Sequence, residues 1–485
     1  MSQENTVGKQ PQLKRVLGRW DLILLFVVAV FNLNVVPSIA ANGGVTLWLW
    51  LISFLLFFWP QAIAVIELST RYPAEGGVYL WAKQVFGGFH GFLSGWCYWT
   101  SNMLYIPTVM LYFVGVLAYV LGGGHQLLAE SKWFALIVSL ALLTVLTLVN
   151  LAGLGAGKWI NNTGALGTGI AAVVLLGLGI MVSLRFGPHL KAQEFALPAN
   201  HRSLLNSFGV ICFGLVGLEL ASFMGDEIRN PREDLPGAVA WGGVTAAMLY
   251  IATTVTLLVA IGKNETSILQ GIVGGVGNMA DRLNLAWMIV PFAVLLSASI
   301  AGIGSAWIAG CSRIPFVAGL DSYLPTWLGA VHPKYSTPHA SLLVQFAISA
   351  ILVAINFAGG IRVQETFQRL LSLSVVLQLV PYLYMFAAVI KLGWSSGERS
   401  RYSRSMLRVA GAAGFFTTLL GAVLVFFPAR QISSLFSYEV WMFGGTLCFL
   451  IPAVFFFFVY GRRKAHSRIS LETTMVSSAR TIDRS

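Results

Sequence analysis

The sequence predicts an all-α membrane protein that crosses the bilayer many times. Its 485 residues are 56% hydrophobic and only 10% charged, whereas soluble domains carry about 25% charged residues. The apolar residues form continuous runs of about 20, which is the length of one membrane-spanning helix. Strands of a membrane barrel would instead alternate in polarity over about 10 residues. The composition thus excludes an ordinary soluble domain, and the length of the runs excludes a barrel.

A window of about 19 residues predicts twelve membrane-spanning helices. They cover residues 21–41, 45–69, 88–121, 133–152, 160–184, 204–226, 237–262, 285–312, 340–358, 366–392, 408–428 and 438–461. Most of the 31 Lys and Arg lie in segments that are cytoplasmic if the N-terminus is inside. The positive-inside rule therefore predicts a multi-pass protein of the cell membrane with both termini in the cytoplasm. The tails 1–20 and 462–485 are polar, and we expect them to be disordered.

Residues 1–40 also permit a second interpretation, a cleaved signal peptide. Lys14 and Arg15 precede an apolar core, and Ser38-Ile39-Ala40 is a small-x-small cleavage site. Charge counting does not separate the two interpretations, because removal of the first segment leaves the others oriented as before. The pairing of the first segment with the sixth favours a retained first helix.

Those two segments both contain residues that interrupt a helix near mid-membrane. The first contains Asn32, Asn34 and Pro37, and the sixth contains Gly217 and Glu219. Proline removes a backbone hydrogen bond, and asparagine competes for backbone partners. Five spans separate the two breaks, so the broken helices run in opposite directions. Interrupted helices at matching places in two halves indicate an inverted-repeat transporter, although Gly and Pro are common in membrane helices generally.

Short motifs follow one another along the first ten segments. They are Glu67-Leu68-Ser69, Pro73-Ala74-Glu75-Gly76-Gly77, Gly217-Leu218-Glu219-Leu220, Glu227-Ile228-Arg229-Asn230-Pro231 and Ser312-Arg313-Ile314-Pro315. As a set they resemble the amino acid-polyamine-organocation (APC) superfamily of secondary transporters. Val380-Pro381-Tyr382 is similar to the basic amino acid and polyamine antiporters, and Tyr112-Phe113 to the glutamate/γ-aminobutyrate antiporters.

The resemblance implies two inverted five-helix repeats, at 21–184 and 204–392, followed by two further helices at 408–461. It implies secondary active transport of amino acids or related amines and polyamines by alternating access. Either antiport or proton-coupled symport would fit this family. A substrate sensor that keeps the fold without turnover stays open as an alternative, because its binding residues would look the same.

The resemblance also assigns side chains to a substrate site. Trp307 takes the place of a tryptophan that stacks on substrate, and Phe213 that of an aromatic gate. Asn102, Ser372 and Ser374 fall near polar substrate contacts. Each aromatic residue could equally be a packing residue, since the chain contains 15 Trp and 32 Phe.

One part of the family pattern is missing. The glycine-rich turn of the first helix, which holds the substrate carboxylate in the family, is Val30-Phe31-Asn32 here. Either Asn32 and Asn34 supply replacement donors, or the substrate lacks an α-carboxylate. The family's lysine in the fifth helix aligns with Thr168, which supplies no cation.

Glu219 is the residue most indicative of function, because an ionisable side chain inside a membrane helix is costly without a role. We expect it to bind a substrate amine or carry a coupling proton; the alternative is a structural bond to opened backbone. The charged residues of 226–234 are expected to form a solvated face or a cytoplasmic gate. The sequence contains no HExxH, GxSxG or phosphate-loop motif, so we expect no enzyme activity, cofactor, metal or nucleic-acid partner. The oligomeric state is left open.

Overall fold

The computed structural model is built of helices throughout the part of the chain that it describes. It describes residues 15–33, 35–74, 76–122, 125–191, 195, 202–261, 271–321, 323–358, 363–395, 400–428, 432 and 434–482, with side chains up to residue 460. Within these residues the extended structure is limited to one isolated bridge, between Leu17 and Ile228. The predicted all-α class is confirmed.

Eighteen α-helices follow one another along the described part of the chain. They are α1 Arg19–Val30, α2 Val36–Ala40, α3 Thr46–Ser53, α4 Trp59–Arg71, α5 Gly77–Phe86, α6 Gly88–Val120, α7 His125–Glu130, α8 Lys132–Leu151, α9 Leu154–Phe186, α10 Arg202–Gly214, α11 Pro231–Ala260, α12 Gly271–Arg282, α13 Ile289–Cys311, α14 Arg313–Leu320, α15 His339–Ala358, α16 Val363–Trp394, α17 Arg404–Leu424 and α18 Leu435–Ile482. Short turns of π-helix (Phe54–Phe58) and 3-10 helix (Leu220–Glu227, Ala286–Met288, Thr326–Gly329) connect some of them.

Nine helical segments among the described residues are long and apolar enough to cross a membrane. They are Thr46–Arg71, Gly88–Val120, Lys132–Leu151, Gly157–Phe186, Pro231–Ala260, Ala286–Gly319, Glu365–Trp394, Arg404–Leu424 and Leu435–Tyr460. Each coincides with one of the twelve predicted spans. A multi-pass membrane architecture is therefore established, whereas the total of twelve stays a prediction.

The three other predicted spans correspond to shorter helices. Span 9 is α15, whose apolar part runs over His339–Ile355. Spans 1 and 6 are the two helices for which the sequence predicts a break, and both breaks are present. The first separates α1, which ends at Val30, from α2, which begins at Val36. Each half is too short to span a membrane alone.

Local chemistry explains why the helices open at these points. Pro37 occupies the first turn of α2, where a proline is favoured because its missing N–H has no partner there. In the second break, between α10 and the 3-10 helix, Gly217 has φ +131°, a conformation that side chains disfavour. A Cβ at Gly217 would lie 3.2 Å from the carbonyl carbon of Ala29. The two breaks therefore pack against each other, and only glycine permits that approach.

The polar segments at the two ends of the chain are partly helical where the structure describes them, and their disorder stays a prediction. Arg19 already belongs to α1, and the amide groups of Val16 and Leu17 both donate to the Glu227 carbonyl, at 2.9 and 3.1 Å. At the other end α18 continues to Ile482, because its apolar part extends directly into a helix without a stop signal. Residues 1–14 and 483–485 lie outside the described residues.

The core of the molecule surrounds α6. This helix packs against α13 and α16, and of the nine long segments it has the largest buried share. Segment 435–460 has the smallest share, so it lies at the periphery. Side chains of α6 and α16 therefore reach the centre, where the two breaks also lie.

Candidate functional site

Glu219 lies in the second break, and its side chain is fully buried. Its Oε1 accepts a hydrogen bond from the Tyr98 hydroxyl at 2.5 Å. Its Oε2 accepts bonds from Gln61 Nε2 at 3.2 Å, from the Gly217 amide at 3.1 Å and from the Tyr382 hydroxyl. We call Glu219 and these four donors the carboxylate cluster.

The carboxylate cluster joins four parts of the fold. Gln61 belongs to α4, Tyr98 to α6 and Tyr382 to α16, while Gly217 is in the break itself. Among the described residues, Glu219 forms no ion pair with a lysine or arginine. A buried carboxylate without a cation is costly unless hydrogen bonds replace its hydration. Neutral donors supply those bonds here, and Oε1 keeps one acceptor position open.

A row of four aromatic rings extends from the carboxylate cluster. Tyr98 and Trp307 are stacked with their ring centroids 6.2 Å apart. Tyr105 contacts Trp307 edge-on at 5.8 Å and Phe213 at 5.1 Å. The Trp307 Nε1–H is buried and has no hydrogen-bond partner among the described residues. A row of aromatic faces beside a carboxylate is suited to a cation with an aliphatic chain.

Amide side chains complete the centre on the side of α6 and α16. Asn102 donates from Nδ2 to the Tyr98 carbonyl at 2.9 Å and lies 3.5 Å from Gln378 Oε1. The Ser101 hydroxyl also donates to Gln378 Oε1. Asn102 Oδ1 and Gln378 Nε2 are buried without partners in the described part of the chain.

Tyr250 of α11 joins the two breaks through one hydroxyl group. The hydroxyl accepts the Asn32 amide at 2.9 Å, and it faces the carbonyls of Val30 at 2.6 Å and Gly214 at 2.7 Å. The side chain of Asn32 turns back to its own helix, donating to the Ala29 carbonyl at 3.1 Å. The first break is therefore closed by protein groups on its α11 side.

Most of the residues predicted for the site do come together. Asn32, Asn102, Phe213, Gly217, Glu219 and Trp307 are all buried at this centre or one contact away from it. Asn34 lies outside the described residues. Ser372 and Ser374 are not part of the contacts described above: Ser374 donates to the Leu371 carbonyl of its own helix at 2.8 Å.

Five further side chains were not predicted. They are Gln61, Tyr98, Tyr250, Gln378 and Tyr382. On α16 the contacts with the centre come from Gln378 and Tyr382, which lie on the same helix face as Ser374 but one and two turns further along the axis. Gln61 and Gln378 could have been predicted from the sequence, since each is a polar residue inside an apolar span.

The predicted charged face at 226–234 needs one correction. Glu227 is not solvated: it forms a two-pronged ion pair with Arg313, with Nε to Oε2 at 3.0 Å and Nη2 to Oε1 at 2.9 Å, and both side chains are 2% exposed. Arg313 is the arginine of the Ser-Arg-Ile-Pro motif. The pair ties the end of the 3-10 helix that follows the second break to the start of α14.

Thr168, which aligns with the family's lysine in the fifth helix, supplies no charge. The Thr168 hydroxyl of α9 lies 2.5 Å from that of Ser299 on α13 and donates to the Gly164 carbonyl at 2.8 Å. Within the described residues there is also no group of three or more His, Cys, Asp or Glu that could hold a metal ion. Glu219 is thus the ionisable carboxylate of the centre.

A bundle of membrane helices with two breaks around a buried carboxylate is the arrangement of a secondary transporter. Residues 17–455 match the sequence profile of the amino acid permease family. The chain therefore belongs to this family, which is part of the APC superfamily, and the resemblance noted in the motifs is confirmed.

Three relatives illustrate the range of the family. An uncharacterized transporter of Legionella pneumophila is 29% identical over 458 residues, covering 91% of this chain and 97% of the relative. A probable agmatine/putrescine antiporter of Lactococcus lactis is 25% identical over 85% of this chain and 86% of its own length. A glutamate/γ-aminobutyrate antiporter of the same species is 23% identical over 96% of this chain and 94% of its own.

Proposed function

We propose that this permease is a secondary active transporter that moves amino acids or related amines by alternating access, with Glu219 as the partner of the substrate amine. The observation that carries this proposal is the fully buried Glu219 carboxylate, held only by neutral donors within the described residues. A cation would gain a charge-assisted hydrogen bond there, which is stronger than a neutral one. The family and the two antiporters described above support the transport class.

The aromatic row explains how the rest of the substrate would be held. Trp307 and Phe213 bracket Tyr105, and aromatic faces bind aliphatic chains and ammonium groups alike. Asn102 lies beside Tyr98 and offers an unpartnered oxygen. We therefore propose Asn32, Asn102, Phe213, Gly217, Glu219 and Trp307 as substrate-site residues.

Proton coupling would follow from the same carboxylate. A protonated Glu219 cannot attract an ammonium group, so proton and substrate would exclude each other from one site. Mutual exclusion of this kind links two gradients, because each ligand shifts the populations of the two conformations by its own differential affinity. Exclusion from one site gives antiport of the substrate against protons, whereas proton-coupled symport would need the coupling proton to bind at another group.

The architecture that we propose is the one predicted from sequence: twelve spans, two inverted repeats at 21–184 and 204–392, and two added helices at 408–461. Spans 1 and 6 open where the repeats would place the substrate. Both termini would face the cytoplasm of a cell whose plasma membrane contains the protein.

The test is flux across a membrane. Purified protein in liposomes loaded with an unlabelled amine or amino acid should take up a labelled one from a panel of amino acids and polyamines. Proton and sodium gradients would be imposed in turn. Tyr112→Phe is a suitable control, because its buried hydroxyl has no partner in the described part of the chain. Binding without flux would instead identify the sensor alternative.

A further inference from the structure

The two breaks differ from a typical carboxylate site in where their amide groups point. A substrate carboxylate binds an opened helix through free backbone N–H groups. In the first break the Phe31 amide donates to the Val27 carbonyl at 3.0 Å, and the Val35 amide to the Asn32 carbonyl at 3.3 Å. The Asn32 amide, between them, donates to Tyr250.

Amide groups of the second break also donate to protein acceptors. The Val216 amide donates to the Phe213 carbonyl at 3.1 Å. The Gly217 amide is taken by the Glu219 carboxylate at 3.1 Å. Protein acceptors thus already use the Asn32 amide in the first break and the Gly217 amide in the second.

Acceptor atoms are also available at the centre, beside Trp307 Nε1 and Gln378 Nε2, two donors that are unpartnered in the part of the chain that the structure describes. Three buried amide oxygens, those of Asn32, Gln61 and Asn102, have no hydrogen-bond partner among the described residues. In each case the amide nitrogen is held by an oxygen: the Ala29 carbonyl, the Glu219 carboxylate and the Tyr98 carbonyl. This fixes which end of each amide is oxygen, since a reversed amide would place oxygen against oxygen.

Tyr250 is the residue that occupies the Asn32 amide in the first break. Its ring is buried between Phe31, at 5.0 Å and edge-on, and Trp50, at 4.5 Å and stacked. The ring is therefore held in place, and its hydroxyl oxygen occupies the Asn32 amide where a carboxylate oxygen could otherwise bind. The same hydroxyl carries one hydrogen for two carbonyls, Val30 and Gly214, which leaves a further acceptor for an ammonium group.

We propose that Tyr250 is a specificity-determining residue that closes the carboxylate position of the breaks, so that the preferred substrates are amines without an α-carboxylate. This inference rests on the proposed transport function and narrows its substrate class. Tyr250 acts by positioning backbone groups and by occupying the Asn32 amide; the amine itself is bound by Glu219. The amide oxygens of Asn32, Gln61 and Asn102, unpartnered within the described residues, and the Glu219 carboxylate then fit an alkyl mono- or diamine.

The experiment compares ligands that differ only by the α-carboxylate. Putrescine and ornithine form one such pair, and agmatine and arginine form another. Binding to the purified full-length protein would be measured by calorimetry, and exchange in liposomes. We expect the wild-type protein to bind each amine about tenfold or more tightly than its amino acid, since Tyr250 already occupies the Asn32 amide that the carboxylate of the amino acid would use.

Tyr250→Phe then tests the residue itself. It frees the Asn32 amide, so the preference for the amine within each pair should fall about tenfold. Tyr112→Phe, which also removes one buried hydroxyl, should leave that ratio unchanged. A purely structural role of Tyr250 would weaken both ligands of a pair equally and would leave the ratio at its wild-type value, which would overturn the proposal.

The wild-type measurement decides the matter even if Tyr250→Phe does not fold. Equal affinity of the wild-type protein for both ligands of a pair would refute the carboxylate exclusion while leaving the transport function intact. Failure to bind or exchange any ligand of either pair, or of the wider panel, would refute the transport function itself.

Discussion

Replacement of Glu219 by glutamine is the sharpest test of the carboxylate cluster. The amide has the same shape as the carboxylate, so its oxygen can take the place of Oε2 and accept from Gln61, Gly217 and Tyr382. Its NH2 group then takes the place of Oε1 and donates to the Tyr98 oxygen, whose hydroxyl is free to rotate. The variant should therefore fold, because each neighbour keeps a partner.

Glu219→Gln removes the negative charge of the cluster and keeps its shape, so amine binding is the property that should be lost. A hydrogen bond to a charged group contributes about 1.5–3 kcal/mol, so Glu219→Gln should weaken amine binding about 10- to 150-fold. Lowered pH should weaken amine binding to the wild-type protein, since protonation removes the same negative charge. In Glu219→Gln this pH dependence should disappear, because the amide does not titrate.

The assay is amine binding and liposome exchange at a series of pH values, with thermal unfolding in detergent as a check on folding. Glu365→Gln is the matched control. It removes a carboxylate that already has a cationic partner, Arg369, at 2.7 Å. Wild-type affinity and a wild-type pH profile in Glu219→Gln would show that Glu219 only satisfies opened backbone, and that coupling resides elsewhere.

The remaining predictions concern the aromatic row, the ion pair of Glu227 with Arg313, and the topology. Trp307→Leu should weaken amine binding by about 0.5–2 kcal/mol, the contribution of a cation–π contact, with little change in thermal stability; unchanged affinity would leave Trp307 as a packing residue. Glu227→Ala should destabilise the protein by about 3–5 kcal/mol, because it leaves Arg313 buried without its partner, and an unchanged unfolding temperature would contradict this. A cysteine at Asn264, which lies outside the described residues, should react with an impermeant reagent from outside the cell, and one at Ser400 only after permeabilisation; the reverse pattern would refute the orientation.

Physical rules that act along the chain explain why so much of the fold could be predicted. Apolar length predicts a membrane helix wherever it occurs, and the nine long segments coincide with predicted spans. The breaks have local contributions as well, because Pro37 fixes its own φ and Gly217 permits the positive φ found there. Glu219 could be identified because a carboxylate in an apolar run is costly in any membrane protein.

The tertiary structure alone decided which side chains surround that carboxylate. Tyr98, Gln61 and Tyr382 are separated from Glu219 by 121, 158 and 163 residues, and no local pattern specifies that four segments meet at one point. On α16 the sequence indicated Ser372 and Ser374, whereas Tyr382 contacts the centre. Ser374, Gln378 and Tyr382 share one face of α16, so what differs is their level along the helix axis, and the packing of α16 against its neighbours sets that level.

Tyr250 shows most clearly the difference between what the sequence indicates and what the tertiary structure decides. In the sequence it is one of 14 tyrosines, in an apolar helix with nothing to distinguish it. In the folded protein its hydroxyl meets three backbone groups from two broken helices. The sequence indicated that backbone groups would be freed near Pro37 and Gly217, although Pro107 and Pro381 lie inside unbroken helices. Which side chain would satisfy them depended on the packing of α11 against both breaks, and that packing exists only in the assembled bundle.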